Sequence, residues 1–303
     1  MKEIIIGDLH GDWKTWNSIL KHAKCIDQNN KWIGKNIRLI QMGDIFDRGG
    51  RGIDFEDGDE EWMILSDLLD YIHIATNFDS EVHFLIGNHE WMNAQGFFNY
   101  VSPKSLESSL YQYRLWCKKF PFLFDEKIKT NEDARLKIMK IGGPLSKILT
   151  HFGKFILKIE NKLYVHGGLL PIHGNITNDI DLINEVGKKL FLGISLTSDV
   201  EQNISQDYFL NFHAIWYNRQ MAFQQLSIND VLKICYDFQI NKIFLGHTPQ
   251  FKDGMKKCYH DHVYLCDSGK YSAYGKKKGD IIQYAIWNTE YEKDWEVISF
   301  KDF

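Results

Sequence analysis

The sequence predicts an α/β fold, and three observations carry that prediction. Short, β-branched apolar runs each end abruptly in a loop containing Gly, Asp or His; helical patterns separate the early runs; the late runs follow one another with little helix between. In order, Ile4–Ile6 reads as a buried strand that runs into Gly7-Asp8. Trp13, Trp16, Leu20 and Ala23 then recur at helical spacing. Ile37–Met42 is the next strand and runs into Gly43-Asp44. Trp62, Leu65, Leu69 and Ile72 mark a second helix, opened by Asp59-Glu60-Glu61, where acids favour a helix N-terminus. Val82–Ile86 runs into Gly87-Asn88. Residues 91–160 interrupt the alternation and read as a helical cap insertion. Beyond it, Leu163–Val165 ends in His166-Gly167-Gly168 and Ile243–Leu245 in Gly246-His247. Val263–Cys266, Asp280–Trp287 and Trp295–Phe300 are strand-like and predict a second, more antiparallel sheet.

Composition narrows the function classes. The 303 residues carry 36 Lys+Arg against 40 Asp+Glu, a formal charge of -4, with 44% hydrophobic and 25% charged residues. These values are those of an ordinary globular protein and exclude collagen-like, coiled-coil and disordered chains. A slightly acidic total argues against nonspecific nucleic-acid binding, and no apolar run approaches the ~18 residues of a membrane span. No Pro/Ser-rich linker divides the chain, so residues 1–303 are expected to form one domain, with 91–160 inserted in it. Cys25, Cys117, Cys235, Cys258 and Cys266 are widely spaced without a C-x-x-C pair, which disfavours disulfides and thiolate zinc. A strand that starts almost at Met1 leaves no room for a signal peptide, so a reducing, cytoplasmic setting is expected.

The chemistry gathers at the strand ends. There the sequence places Asp8 and His10, then Asp44, Asp47 and Arg48, then Asn88 and His89, then His166, and last His247. Loops beyond the carboxyl ends of strands are where α/β sheets hold their sites. A lone Asp there is more often a helix cap and a lone His a core or surface residue, but independent caps would not share this order and Gly flanking. Three carboxylates, an amide oxygen and several imidazoles without sulfur suit Mn²⁺, Fe or Zn²⁺ better than Cu(I) or an iron–sulfur cluster. So many anionic and imidazole groups at one point call for neutralising cations, and two divalent ions sharing a carboxylate would serve.

Gly7–Gly11, Gly43–Gly49, Gly87–Glu90, His166-Gly167-Gly168 and Gly246-His247 together resemble the motifs of the calcineurin-like metallophosphoesterases. Asp47-Arg48-Gly49 is similar to the phosphoprotein phosphatase (PPP) branch. Gly87–Asn93 with Tyr100-Val101, Val165–Leu169, and Gly246–Gln250 with Asp267-Ser268-Gly269 resemble its bacterial-type subgroup, the Shewanella-like protein phosphatases. The resemblance implies a metallophosphoesterase fold, a central β-sandwich flanked by α-helices. It implies that Asp8 and His10 ligate a first metal, that Asp44 bridges, and that Asn88, His166 and His247 complete a second site. It further implies His89 as general acid oriented by Asp47, with Arg48 clamping the phosphate and Arg219, in Ile215–Arg219, as a second phosphate-binding arginine. Mn²⁺ is the first choice for both ions, with Fe or Zn²⁺ as alternatives.

The expected activity is metal-dependent phosphomonoester hydrolysis by direct attack of a metal-activated water on phosphoserine, phosphothreonine or phosphotyrosine in a protein or peptide. Phosphate esters hydrolyse very slowly unaided, which is why two metals and a guanidinium fork are apt. Two rival readings are a symmetrical diadenosine tetraphosphatase-like nucleotide hydrolase and a non-catalytic phospho-ligand-binding scaffold. The latter predicts a missing ligand or acid, and none is missing. Tyr271 and Tyr274 stand near the place of an aromatic site loop, and packing accounts for them equally well. The acidic run Asp54, Glu56, Asp57, Asp59, Glu60, Glu61 reads first as a solvated helix start, and His260 with His262 as surface histidines.

Overall fold

Two five-stranded sheets lie face to face, and the ends of their parallel strands carry the residues singled out above. The computed structural model describes residues 1–51, 60–119, 121–123, 127–288 and 294–301. Its strands are β1 (Lys2–Ile6), β2 (Ile37–Gln41), β3 (Glu81–Phe84), β4 (Ile156–Ile159), β5 (Lys162–Val165), β6 (Lys242–Leu245), β7 (Lys256–Cys258), β8 (Val263–Leu265), β9 (Ile281–Asn288) and β10 (Asp294–Lys301). Its helices are α1 (Trp13–His22), α2 (Glu60–Ile74), α3 (Asn88–Ala94), α4 (Pro103–Lys119), α5 (Asn131–Met139), α6 (Pro144–Phe152), α7 (Pro171–Ile176), α8 (Ile180–Leu192), α9 (Asp199–Ile204) and α10 (Ile228–Phe238).

The first sheet has the order β10-β9-β1-β2-β3 and the second β4-β5-β6-β8-β7. In the first, β1, β2 and β3 run parallel while β9 and β10 are antiparallel additions. In the second, β5, β6 and β8 run parallel and β4 and β7 close the edges antiparallel. Alternation along each strand divides the core in two. Ile5, Ile40 and Leu85 face the second sheet's Tyr164, Phe244 and Tyr264. Trp287 of β9 reaches Phe244 across the interface, with ring centroids 5.8 Å apart. Ile4, Ile6 and Leu39 point the other way into the larger core with Trp16, Leu65 and Leu68 of α1 and α2. Each such side chain contributes about 1.5–3 kcal/mol by leaving water.

The helices begin where the sequence offers caps. The Asp12 carboxylate accepts from the Thr15 amide (3.0 Å) and starts α1 directly after the first site loop. Glu60 and Glu61 lie in the first turn of α2. Asp54, Glu56, Asp57 and Asp59, the rest of the acidic run, lie outside the described residues.

The late strands differ from expectation. They form no separate antiparallel sheet: β8 joins the second sheet, while β9 and β10 extend the first, because β9 pairs with β1 from Lys2↔Asn288 onward. The helical insertion carries α3 to α6, and residues 156–159, assigned to it from sequence, are strand β4. A second helical stretch, α7 to α10, separates β5 from β6. Among the described residues no helix is long and apolar enough to cross a membrane.

Candidate metal centre and phosphate cavity

The loops after β1, β2 and β3 meet those after β5, β6 and β8. Backbone bonds fasten them: the amides of Leu9 and His10 donate to the Asp44 carbonyl (3.1 and 2.9 Å), and the His247 amide donates to the Asp8 carboxylate (3.0 Å). The approach is too close for side chains. A Cβ on Gly87 would lie 2.3 Å from Asp44 Oδ1, and one on Gly43 2.7 Å from His166 Nδ1. His10, Asp44, Asp47 and His247 all take positive φ (45°, 54°, 74° and 62°), a conformation sparsely populated outside glycine and concentrated at functional sites.

Asp44 stands at the centre. Its Oδ1 accepts from the His89 amide (3.0 Å), so Oδ2 faces His166 Nε2 at 3.2 Å, His10 Nε2 at 3.7 Å and His89 Nε2 at 4.0 Å. Two of these rings are oriented from behind. His10 Nδ1 donates to the Phe46 carbonyl (3.0 Å) and His166 Nδ1 to the Met42 carbonyl (2.7 Å), which turns each Nε2 toward the carboxylates. His166 Nε2 also lies 3.1 Å from Asn88 Oδ1, and Asp8 Oδ2 is 4.0 Å from His10 Nε2. Two groups of ligand atoms are compact enough for a cation: His10, Asp44 and His89, and Asp44, His166 and His247. All the sequence-assigned ligands are buried. His260 and His262 belong to neither group.

His89 differs from His10 and His166 in that a carboxylate, not a backbone carbonyl, holds its Nδ1. Its Nδ1 donates to Asp47 Oδ2 (2.8 Å), while Asn93 Nδ2 donates to Asp47 Oδ1 (2.8 Å). Burial lowers the affinity of His89 for a proton, but Asp44 and then Asp47 outweigh it and raise its pKa.

The remaining titrations show how crowded with charge the centre is. Burial, then the Asp267 carboxylate, pushes Asp8 well above the usual carboxylate range. Burial also acts to raise Asp44, yet His166, His89 and His10 prevail and hold it well below. Burial resists charge on His166, but Asp44 and Asp8 carry it to about 10. His10 is lowered by burial and then by Arg51; His247 is lowered by burial and then by His166 and Arg219. Burial pushes both Glu90 and Asp267 to about 7, with Asp44 adding to each.

Above the ligands opens a cavity of about 520 Å³ whose walls include Arg51, Tyr100, Tyr217, Arg219 and Tyr274. Arg219 lines it, its Nε donating to His247 Nε2 (3.0 Å). Arg48 does not: it is absent from the lining, and its guanidinium is engaged by the Glu60 carboxylate and the Gly11 carbonyl. Glu60, at the start of α2, supplies the opposite charge that draws it aside. Arg51, three residues on and not singled out from sequence, lies on the wall instead. Its Nη1 donates to the carbonyls of Asp47 and Gly49 (both 2.9 Å), and its guanidinium carbon stands 5.3 Å from the Tyr100 ring and 5.0 Å from that of Tyr274. Tyr271 is buried behind His10, with ring centroids 5.3 Å apart.

Sequence reasoning also passed over Glu90. Its carboxylate accepts from the amides of Asp44 (3.0 Å), Ile45 (2.8 Å) and Gly87 (2.8 Å), so one side chain ties the β2 and β3 loops together. Its position in the first turn of α3, reaching back to the residue before the helix, is the capping signal that could have revealed it.

Comparison with known proteins accords with this geometry. A family model described as calcineurin-like phosphoesterase matches residues 1–251. The chain is 26% identical over 275 residues to Shewanella-like protein phosphatase 1 of Plasmodium berghei, covering 88% of this chain and 67% of that one. It is 28% identical over 210 residues to Shewanella-like protein phosphatase 2 of Arabidopsis thaliana, covering 60% of this chain and 49% of that one. A solved structure of a cold-active protein-tyrosine phosphatase from a psychrophilic Shewanella species superposes with a TM-score of 0.66 at 20% identity, covering 99% of this chain and 78% of that one.

Proposed function

The chain belongs to the calcineurin-like phosphoesterase family and is a phosphatase-type hydrolase, and we propose that it removes phosphate from phosphoserine, phosphothreonine or phosphotyrosine in proteins or peptides. The observation that carries this reading is one buried carboxylate, Asp44, facing three imidazoles beneath a cavity walled by two arginines.

The family is metal-dependent, and the residues present fit cations. Asp8, Asp44, Glu90 and Asp267 bury four carboxyl groups in one place, and burial forces three of them upward in pKa, a strain that divalent ions would relieve. The donors are oxygen and imidazole nitrogen, the set that suits Mn²⁺, with Fe or Zn²⁺ as alternatives. We assign Asp8, His10 and Asp44 to one ion and Asp44, Asn88, His166 and His247 to a second. When bound, two such ions acidify water and neutralise the phosphoryl oxygens.

The chain's own groups do the rest. Arg219 and Arg51 grip the phosphate from two sides, Arg51 taking the part that the sequence motif gives to Arg48. Water attacks phosphorus directly as the ester oxygen departs, and His89 Nε2 delivers the proton that the leaving oxygen needs. Asp47, bound to Nδ1, keeps that ring oriented and charged. His89 falls within one of the compact ligand groups; its bond to Asp47 leaves Nε2 on the cavity lining, where we assign it the part of the acid rather than a ligand.

The test is a turnover panel with Mn²⁺ comparing phosphotyrosyl peptide, phosphothreonyl peptide and diadenosine tetraphosphate. The expected result is faster hydrolysis of a phosphopeptide. A strong preference for the dinucleotide overturns the proposal in favour of nucleotide hydrolysis.

A further inference from the structure

Helix α5 belongs to the helical insertion, the part of the chain that matches the motifs least, yet it sends a charged side chain to the catalytic pair. Arg135 is wholly buried. Its Nε donates to Asn93 Oδ1 (2.9 Å), its Nη1 to Glu61 Oε1 (2.6 Å) and Ser105 Oγ (3.4 Å), and its Nη2 stands 3.5 Å from Asp47 Oδ1. The guanidinium thus joins α2, α3, α4 and the β2 loop at one point. A buried guanidinium is costly unless partnered; Nε and Nη1 hydrogen-bond to three side chains, while Nη2 makes no hydrogen bond and meets Asp47 by charge across 3.5 Å.

The network ends on the residues that handle the proton. Asp47 Oδ2 accepts from His89, while Oδ1 faces Asn93 and Arg135. Asn93 Nδ2 donates to the His89 carbonyl as well (2.9 Å), and the Asp47 amide lies 3.3 Å from the second oxygen of Glu61. Without Arg135, Asn93 Oδ1 loses its donor, Glu61 Oε1 keeps only Ser105, and Asp47 loses the cation facing Oδ1, so Asn93, which itself donates to Asp47, is no longer held in place.

We propose that Arg135 is the positioning residue of the His89–Asp47 pair, so that proton delivery to the leaving oxygen depends on the helical insertion being seated. This rests on the reading of His89 as the acid, and goes beyond it by giving the insertion a part in the chemistry. Arg135 itself touches no substrate. A lysine offers one point charge in place of the fork and restores little.

Two readouts test this in Arg135→Gln and Arg135→Lys. The first needs no turnover: in chain labelled with nitrogen-15 at histidine and free of metal, the imidazole N–H resonance of His89, identified by its loss in His89→Gln, is expected to shift or vanish in both variants. The buried His173 resonance is expected to stay in place as a check on folding. An unmoved His89 resonance overturns the proposal even if the wild-type chain hydrolyses no phosphate ester, an outcome that would sink the functional reading separately. The second readout is leaving-group dependence in the Mn²⁺-loaded enzyme. Nitrophenyl phosphate is expected to lose about tenfold in kcat/KM and an alkyl phosphate about a hundredfold or more, because only the poor leaving group needs the proton. Equal losses on both substrates, or failure of both variants to fold, make Arg135 a scaffold residue and overturn the proposal.

Discussion

The floor and the wall of the cavity are built by opposite means. On the floor, Asp8, His10, Asp44, Asn88, His166 and His247 follow closely on strand ends, are all buried, and are tied down through backbone amides and carbonyls. On the wall, Arg51, Arg219, Tyr217 and Tyr274 lie outside the strands, and Arg219 and Tyr217 are exposed. The difference follows from tolerance. A cation site fails when a donor strays by a few tenths of an ångström, so its donors sit on the stiffest backbone available. A long guanidinium side chain can reach the same spot from several positions, so the place of a phosphate clamp can shift by three residues along a loop.

The largest effect should come from the floor. Asp44→Asn is expected to reduce metal-dependent hydrolysis of an aryl phosphate by about a thousandfold or more, since it removes the one charge facing three imidazoles. Activity close to wild type would dissolve the distinction between floor and wall.

A smaller effect should separate the two arginines. Arg51→Ala is expected to lower kcat/KM by about 10- to 100-fold, whereas Arg48→Ala should cost less than about threefold. The opposite order, read from initial rates on one phosphopeptide, would return the clamp to Arg48.

The smallest effect lies behind the floor, at His173 in α7. Its Nδ1 accepts from the Leu170 amide (2.9 Å) and so steadies the segment that follows His166. Burial holds its pKa at about 4, below the ordinary 6.5. The unfolded chain therefore takes up this proton first as pH falls, so the contribution to stability is complete above about pH 6.5 and is lost toward about pH 4. Thermal melts across that window should show a decline that His173→Gln flattens; an unchanged slope in the variant counts against this account.

Legibility in the sequence tracked how local the cause was. Strands such as Ile4–Ile6 and Ile243–Leu245 declare themselves because apolar β-branched runs stop at a turn. The edge strand β7, Lys256-Lys257-Cys258, is too short and charged to leave such a pattern, as edges commonly are, while β4 is apolar but only four residues long, interrupted by Lys158 and without a site loop at its end. The pairing of β9 with β1 is set by partners almost the whole chain apart, which no window can register. In the site, the convergence of Asp8, Asp44, Asn88, His166 and His247 was readable because each follows closely on its strand beside glycine. Which of Arg48 and Arg51 enters the cavity was not, because a carboxylate beyond the loop, Glu60, decides it. Arg135 was invisible for the same reason, since all its partners lie on other elements.

The place of β1 has a consequence for synthesis on the ribosome. The strand is made before both of its partners and lies inside its sheet, parallel to β2 on one side and antiparallel to β9 on the other. Its second edge, the backbone of Lys2 to Ile5, therefore stays open until translation has passed Asn288. By then His247 has also been made, so the nascent chain completes the cavity floor and closes its sticky edge in the same late interval. Until that moment the growing polypeptide carries an unpaired β-edge, a template for association with other chains that pairing with β9 removes.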